Sequence, residues 1–185
     1  MRYVAGNRLT LLKNGAQYFP ALVAAIDAAR EEVFLESYIF ADDGTGSLVS
    51  DALARAAARG VRTHLLIDGF GARDFPQRFR SALLQAGAKL QVFRPQRTAL
   101  PRRNRLRRMH RKLAAVDGQV AFVGGINIVD DYETPFEQPG VAAAPRYDYA
   151  VRTEGPLAHE VRAAAPESTQ VRLRRRTPDR IVPHS

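Results

Sequence analysis

The chain of 185 residues contains no cysteine. That absence excludes disulfide bonds and thiol catalysis, although it does not fix the compartment. No apolar run reaches the length that a membrane-spanning helix requires, and the opening Met1-Arg2-Tyr3-Val4-Ala5-Gly6-Asn7 lacks the apolar stretch of a secretion signal. The expectation is a cytoplasmic protein, peripheral to the inner face of the cell membrane. Ligand sets for a metal are also missing. His64, His159 and His184 stand apart from His110, and neither His-Glu-x-x-His nor a clustered Asp-x-Asp pattern occurs. No metal and no cofactor are therefore expected. Gly44-Thr45-Gly46-Ser47 is not a phosphate loop, because the Gly-Lys-Ser/Thr ending is absent.

What is present suffices for a packed core, since 45% of the residues are apolar. Phe19 to Arg30 is Ala-rich and amphipathic with Pro20 in its first turn, and it leads into an apolar strand from Val33 to Phe40. Ser47 is the expected N-cap of a helix that runs to Arg59 and stops at Gly60. A strand from Val61 to Ile67, a helix from Phe75 to Gln85 closed by Gly87, and a strand from Lys89 to Phe93 follow. Later, Tyr147 to Thr153 reads as a strand and Pro156 to Ala165 as a helix. Repeated β-α-β units predict an α/β fold with a mixed, largely parallel β-sheet flanked by helices. The packed region spans residues 1–165. From Pro166 the chain turns polar, basic and aperiodic, so residues 166–185 read as a disordered tail.

The chemistry concentrates between residues 110 and 127. Asp117-Gly118 is the dipeptide best suited to a type I′ hairpin turn, which places a short strand on each side of it. His110 and Lys112 then share a face about 7 Å apart along the strand, so an imidazole and an ammonium address one ligand. Gly124-Gly125 beyond the second strand permits close approach of backbone to a bulky anion, and the Asn127 amide can donate to phosphate oxygens. A neutral imidazole can attack phosphorus and carry the phosphoryl group, dividing one difficult displacement into two. Lys112 and Asn127 would stabilise charge on the equatorial oxygens of the transition state.

These residues resemble the phospholipase D superfamily, whose signature is H-x-K-x4-D followed by a small-residue turn and Asn. Leu35-Glu36-Ser37-Tyr38-Ile39-Phe40, Met109-His110-Arg111-Lys112-Leu113, Val123-Gly124-Gly125-Ile126-Asn127-Ile128 and the segment from Tyr147 to Pro156 are similar to the N-terminal half of bacterial cardiolipin synthases. The resemblance implies that His110 is the nucleophile and that Lys112, Asn127 and Gly125 hold phosphate. Asp117 belongs to the signature, but its place before Gly118 suits a turn at least as well as contact with substrate. Asp148 is the candidate carboxylate for holding the His110 Nδ1 proton, with a solvated strand-end acid as the alternative. Glu36 and Tyr38, at i and i+2 on a strand, are candidates for lining the cleft or simply for packing. Asp68-Gly69 reads as a strand-to-helix turn, and His64, within an apolar strand, as a core histidine.

One departure from the family pattern matters. Two-motif members use one histidine to attack and another to protonate the leaving alcohol, whereas no second His here is followed by Lys two positions on. Either two copies form a homodimer and share a site, as single-motif members of the superfamily do, or the chain is a severed half of a longer enzyme whose C-terminal half is missing. The formal net charge of +9 gathers in Arg94, Arg97, Arg102, Arg103, Arg105, Arg107, Arg108, Arg111 and Lys112, directly before the motif. Such a run attracts anionic phospholipid at a membrane surface, and nucleic acid by the same physics. Three functions follow as expectations. The leading one is a cardiolipin-synthase-type phosphatidyltransferase acting on phosphatidylglycerol, or a phospholipase D where water is the acceptor. A single-motif nucleic-acid phosphodiesterase and an inactive, membrane-binding remnant are the alternatives.

Overall fold

The computed structural model describes residues 4–93, 108–132 and 145–165. The basic run from Arg94 to Arg107 and the tail from Pro166 lie outside the described residues. Seven strands and four helices are described. In chain order they are β1 (Arg8–Lys13), α1 (Asn14–Ala28), β2 (Glu32–Ser37), α2 (Gly44–Ala58), β3 (Arg62–Asp68), α3 (Gln77–Gln85), β4 (Lys89–Phe93), β5 (Leu113–Val116), β6 (Val120–Gly124), β7 (Tyr149–Glu154) and α4 (Pro156–Ala164). The strands form one mixed sheet in the order β1-β7-β6-β5-β2-β3-β4.

Parallel pairing is confined to β2 with β3 and β3 with β4, the part built from β-α-β units. The other four pairings are antiparallel. The parallel share is thus smaller than the repeated β-α-β pattern predicts. The hairpin β5-β6 enters the sheet beside β2, and the chain ends pair with it through β7 and β1. A local periodicity reports that strands exist but not which neighbours they choose.

Helices α1, α2 and α3 cover one face. Leu22, Ile26, Val49, Leu53 and Leu83 pack there against Val33, Leu35, Leu65, Ile67 and Phe122 in a single core. Complete burial of a side chain such as Phe122 contributes about 1.5–3 kcal/mol. Helix α4 covers part of the opposite face, where Ala158 meets Ala115 and Ala121. Alanines on both sides permit this close approach, and the Arg162 guanidinium binds Glu32 at 2.6 and 2.8 Å while lying over the Phe34 ring. Central β2 is covered on both faces, which explains its unbroken apolar core Val33-Phe34-Leu35.

Several boundaries differ from the sequence reading, and the three largest differences are decided by a cap or by contacts with distant parts of the chain. Helix α1 begins at Asn14, leaving Pro20 inside it. The Asp131 carboxylate, more than 100 residues away, accepts from Gly15 N at 2.9 Å and Ala16 N at 3.3 Å and so caps the earlier start. Helix α2 is capped by Asp43, which accepts from Gly46 N at 2.6 Å, four residues before the expected cap Ser47. Strand β2 ends at Ser37, because Ile39 to Ala41 leaves the sheet and bonds the chain around Ile128. Strand β1, which carries no strong local signal, completes the edge by pairing with β7.

The β5-β6 turn has positive φ at both Asp117 (52°) and Gly118 (64°), as a type I′ turn requires. Asp117 does more than turn. Its carboxylate accepts the backbone N–H of Arg30 (2.9 Å), Glu31 (2.9 Å) and Glu32 (2.8 Å), fastening the hairpin tip to the start of β2. Burial opposes its charge, but these three donations prevail and hold the carboxyl below the ordinary carboxylate range. A depressed folded value gives stability that is present above the unfolded carboxyl value of about 4 and is lost as pH falls through the folded one. Asp117→Asn is accordingly expected to lower unfolding stability by about 2 kcal/mol at pH 7. In urea titrations the gap from the parent protein should narrow progressively below about pH 4.

Candidate active site

The carboxyl ends of β2 and β3 and the chain entering β5 meet at one end of the sheet, the end at which open α/β sheets hold ligands. His110 is exposed there, and Lys112 is buried. Lys112 Nζ lies 3.2 Å from Nδ1 and 3.2 Å from Nε2 of His110, and donates to the His110 carbonyl at 3.2 Å. The alternation of an extended chain brings the two side chains together as its period of two requires. Burial lowers the Lys112 ammonium from its usual value, and the nearby negative charge of Asp148 counteracts this. A cation with little water of its own exerts its charge more strongly on an incoming anion.

Tyr38 forms the wall of the site. Its ring lies against the His110 imidazole with centroids 4.8 Å apart, and Lys112 Nζ lies 5.4 Å from the ring centroid. Behind it, Gly71 leaves room for Tyr38, since an added Cβ would overlap the ring and the Tyr38 carbonyl. Asn127 joins the same group through Ile39, whose N–H donates to Asn127 Oδ1 at 3.1 Å. A backbone N–H can only donate, so the amide oxygen faces Ile39 and the NH2 group is directed elsewhere, as a donor to an anion must be.

Glu36 and Tyr38 do not act together. Because β2 ends at Ser37, the i, i+2 relation breaks, and Glu36 takes a different partner. Its fully buried carboxylate accepts from Arg111 Nη2 at 2.8 Å, while Arg111 Nη1 donates to Ala164 O at the end of α4. Arg111 lies between His110 and Lys112 in the chain and so projects to the opposite side. Burial raises the Glu36 carboxyl and the Arg111 guanidinium opposes that rise. Glu36 braces the strand that carries the site and does not line the cleft.

Other sequence candidates lie apart from His110. Asp117 is at the hairpin tip, separated from Lys112 by the whole of β5, about 16 Å of extended chain. It takes no part in the cluster around His110. The Gly125 amide donates to Tyr149 O at 2.9 Å, and a Cβ there would strike the Asp148 carboxylate. The close approach that glycine permits is therefore to the Asp148 carboxylate just before β7, not to a bound ligand. Asp148 accepts from Tyr149 N at 2.7 Å and is held by Asn14 through Asp148 N→Asn14 Oδ1 at 3.1 Å. Its charge addresses Lys112, with no bond to the His110 ring. His64 is buried beside Glu32 at 4.0 Å, and His159 lies near Gly118, so neither is placed to serve His110.

Sequence reading assigned Asp68 only a turn. The carboxylate does hold that turn, through Phe70 N at 2.8 Å and Gly71 N at 3.2 Å, but its second oxygen accepts Met109 N at 2.8 Å. This buried acid thereby fixes the backbone one residue before His110. A carboxylate at the carboxyl end of a parallel strand was the available signal. Among the described residues, no group of three or more His, Asp or Glu could hold a metal ion, and no helix is long and apolar enough to cross a membrane. A groove of about 490 Å³ lined by Leu12, Ala25, Val116 and Arg152 opens at the Asp117 end, away from His110.

Known proteins share these features. The family model described as cardiolipin synthase, PLD-like domain, matches residues 22–133. Cardiolipin synthase B of Escherichia coli (strain K12) is 39% identical over 157 residues, which are 84% of this chain and 37% of that protein. Cardiolipin synthase A of Pseudomonas putida (strain GB-1) is 34% identical over 157 residues, 85% of this chain and 32% of that protein. The chain thus spans about a third of the length of these relatives. Among solved structures, Nuc of Salmonella typhimurium, a phospholipase D family member, superposes with a TM-score of 0.59 at 19% identity, covering 85% of this chain and 90% of Nuc. NucT from Helicobacter pylori gives 0.60 at 17% identity, covering 85% and 92%. Motif, fold and similarity over most of the chain agree: this protein belongs to the phospholipase D-like family of cardiolipin synthase domains.

Proposed function

We propose that this chain carries a phosphatidyltransferase half-site of cardiolipin-synthase type, with His110 as the nucleophile. The observation that carries the reading is the exposed His110 imidazole in contact with the partly desolvated Lys112 ammonium. Nε2 of His110 attacks the phosphorus of one phosphatidylglycerol, and the bond from phosphorus to the headgroup oxygen breaks. Glycerol leaves with a proton from an acid on the opposite face. A hydroxyl of a second phosphatidylglycerol then attacks the phosphohistidine, gives its proton to the same group, and frees His110 as cardiolipin forms. Lys112 and the Asn127 NH2 group stabilise the equatorial oxygens in both steps. Water in place of the second lipid would release phosphatidic acid.

In-line displacement needs an acid opposite His110, and neither His64 nor His159 is placed to supply it. The partner half-site is therefore assigned to a second copy of the chain, with packed residues 1–165 as the folded unit. Anionic lipid is the substrate that this charge balance favours, at the surface of a membrane. The same balance supports a second reading, cleavage of a nucleic-acid phosphodiester.

Turnover of phosphatidylglycerol vesicles tests the proposal, with cardiolipin and free glycerol followed together. His110→Ala is expected to lose activity by about 10³-fold or more while its thermal unfolding stays unchanged, because the side chain is exposed. Retained activity in that variant would exclude His110 as nucleophile. Hydrolysis of single-stranded DNA without turnover of lipid would replace the lipid reading by the nucleic-acid one. Vesicle binding with no turnover of either substrate would leave a non-catalytic protein. Asn127→Leu should reduce kcat by about 10²-fold with a smaller change in KM, since its donation strengthens in the transition state.

A further inference from the structure

Arg108 opens the described segment that enters β5, two residues before His110. Its guanidinium lies 4.6 Å from the centroid of the Phe70 ring and makes no hydrogen bond or ion pair with any described residue. Phe70, in the turn after β3, is 37% exposed, so the pair stands at the surface. Attraction to the face of a ring positions a guanidinium but pairs none of its N–H donors with an acceptor oxygen. Two of those donors together match the oxygens of a phosphate. Asp74, an acid of the same turn, binds Arg73 and does not compete for Arg108.

The pair is fastened to the candidate site by one carboxylate. Asp68 Oδ1 accepts Phe70 N and Gly71 N, and Asp68 Oδ2 accepts Met109 N, the residue between Arg108 and His110. Gly71 in turn lies against Tyr38, whose ring meets the His110 imidazole. Phe70 and Arg108 therefore form the rim of the wall that Tyr38 begins. Met109 is buried while His110 is exposed, the alternation of an extended chain, so Arg108 and His110 share a side at a separation of about 7 Å. A second cation thus stands one step outside the pair His110 and Lys112.

We infer that Arg108 forms a second phosphate subsite, which takes the phosphate already present on the acceptor lipid while that lipid's terminal hydroxyl faces the phosphorus held at His110. The identity of this anion rests on the phosphatidyl-transfer reading. Attack by the hydroxyl joins its oxygen to phosphorus, breaks the bond from phosphorus to Nε2 and passes the hydroxyl proton to the acid opposite His110. The two phosphorus atoms are then linked through O–C–C–C–O, by as many bonds as separate the Cα atoms of Arg108 and His110. The two spans accordingly match, at about 7 Å each. Water carries no such anion, so Arg108 holds the lipid hydroxyl near phosphorus in preference to water and directs the phosphohistidine to transfer over hydrolysis. Arg108 is a specificity-determining residue for the acceptor and not part of the displacement itself.

Calorimetric binding of glycerol 1,3-bisphosphate and of glycerol 1-phosphate tests the subsite in the 185-residue protein, Arg108→Gln and Arg73→Gln. The parent should bind the bisphosphate about 10-fold or more tightly than the monophosphate. Arg108→Gln should bind the two alike, with its affinity for the monophosphate unchanged. Arg73→Gln, which removes a charge from the same turn, should keep the preference. On phosphatidylglycerol vesicles, Arg108→Gln should lower the ratio of cardiolipin to phosphatidic acid by about 10-fold, with the single-turnover release of glycerol close to that of the parent. Equal affinity of the parent for the two anions overturns the inference, as does a preference that survives Arg108→Gln or an unchanged product ratio. Loss of the preference in Arg73→Gln as well overturns it in favour of diffuse charge attraction. Cleavage of single-stranded DNA that weakens in Arg108→Gln, with lipid unchanged by the parent, overturns the lipid assignment in favour of a neighbouring nucleic-acid phosphate. Binding is read without turnover, so a protein that shows the Arg108-dependent preference but turns over neither substrate refutes the transferase reading and supports the second anion subsite.

Discussion

Strand β5 has four residues, yet it holds the middle of the sheet, hydrogen-bonded to β2 on one side and β6 on the other. Its antiparallel course beside β2 brings the beginning of β5 next to the end of β2. His110 and Lys112 thereby arrive at the carboxyl edge of the parallel strands, beside Tyr38 and Asp68. A parallel insertion would have carried them to the opposite edge. Everything chemical in this molecule depends on that direction.

Three carboxylates, two of them buried, secure the placement. Asp117 binds the hairpin tip to the start of β2, Asp68 takes the N–H of Met109, and Glu36 takes the guanidinium of Arg111. The last two act on the residues immediately before and after His110, so the exposed imidazole projects from a backbone fixed on both sides. Such positions are sensitive because a buried acid without its donors loses more than the bond is worth. Glu36 Oε2 is already without a partner among the described residues, and its desolvation is offset through Arg111 alone.

The elements of the candidate site were legible in the sequence to different degrees, and the difference is physical. The pairing of His110 with Lys112 follows from the period of an extended chain, which needs no tertiary information. The Asp117-Gly118 turn likewise follows from the rarity of residues that accept positive φ. Gly125 was misread because sequence shows that a close approach occurs but not which group approaches. Here it is Asp148, just before the neighbouring strand β7. Glu36 and Tyr38 were grouped on the assumption that β2 continued to Phe40, and the earlier end of the strand separated them.

Local pattern alone determined the helices and strands of the β-α-β region, the hairpin, and the set His110, Lys112 and Asn127, because each depends on spacing within a few residues. Tertiary structure alone decided the antiparallel majority of the sheet, the edge place of β1, the bracing roles of Asp68, Glu36 and Asp117, and the placement of Arg108 over Phe70. Each of these depends on partners tens of residues away, and chain separation carries no record of which backbone groups will meet in space.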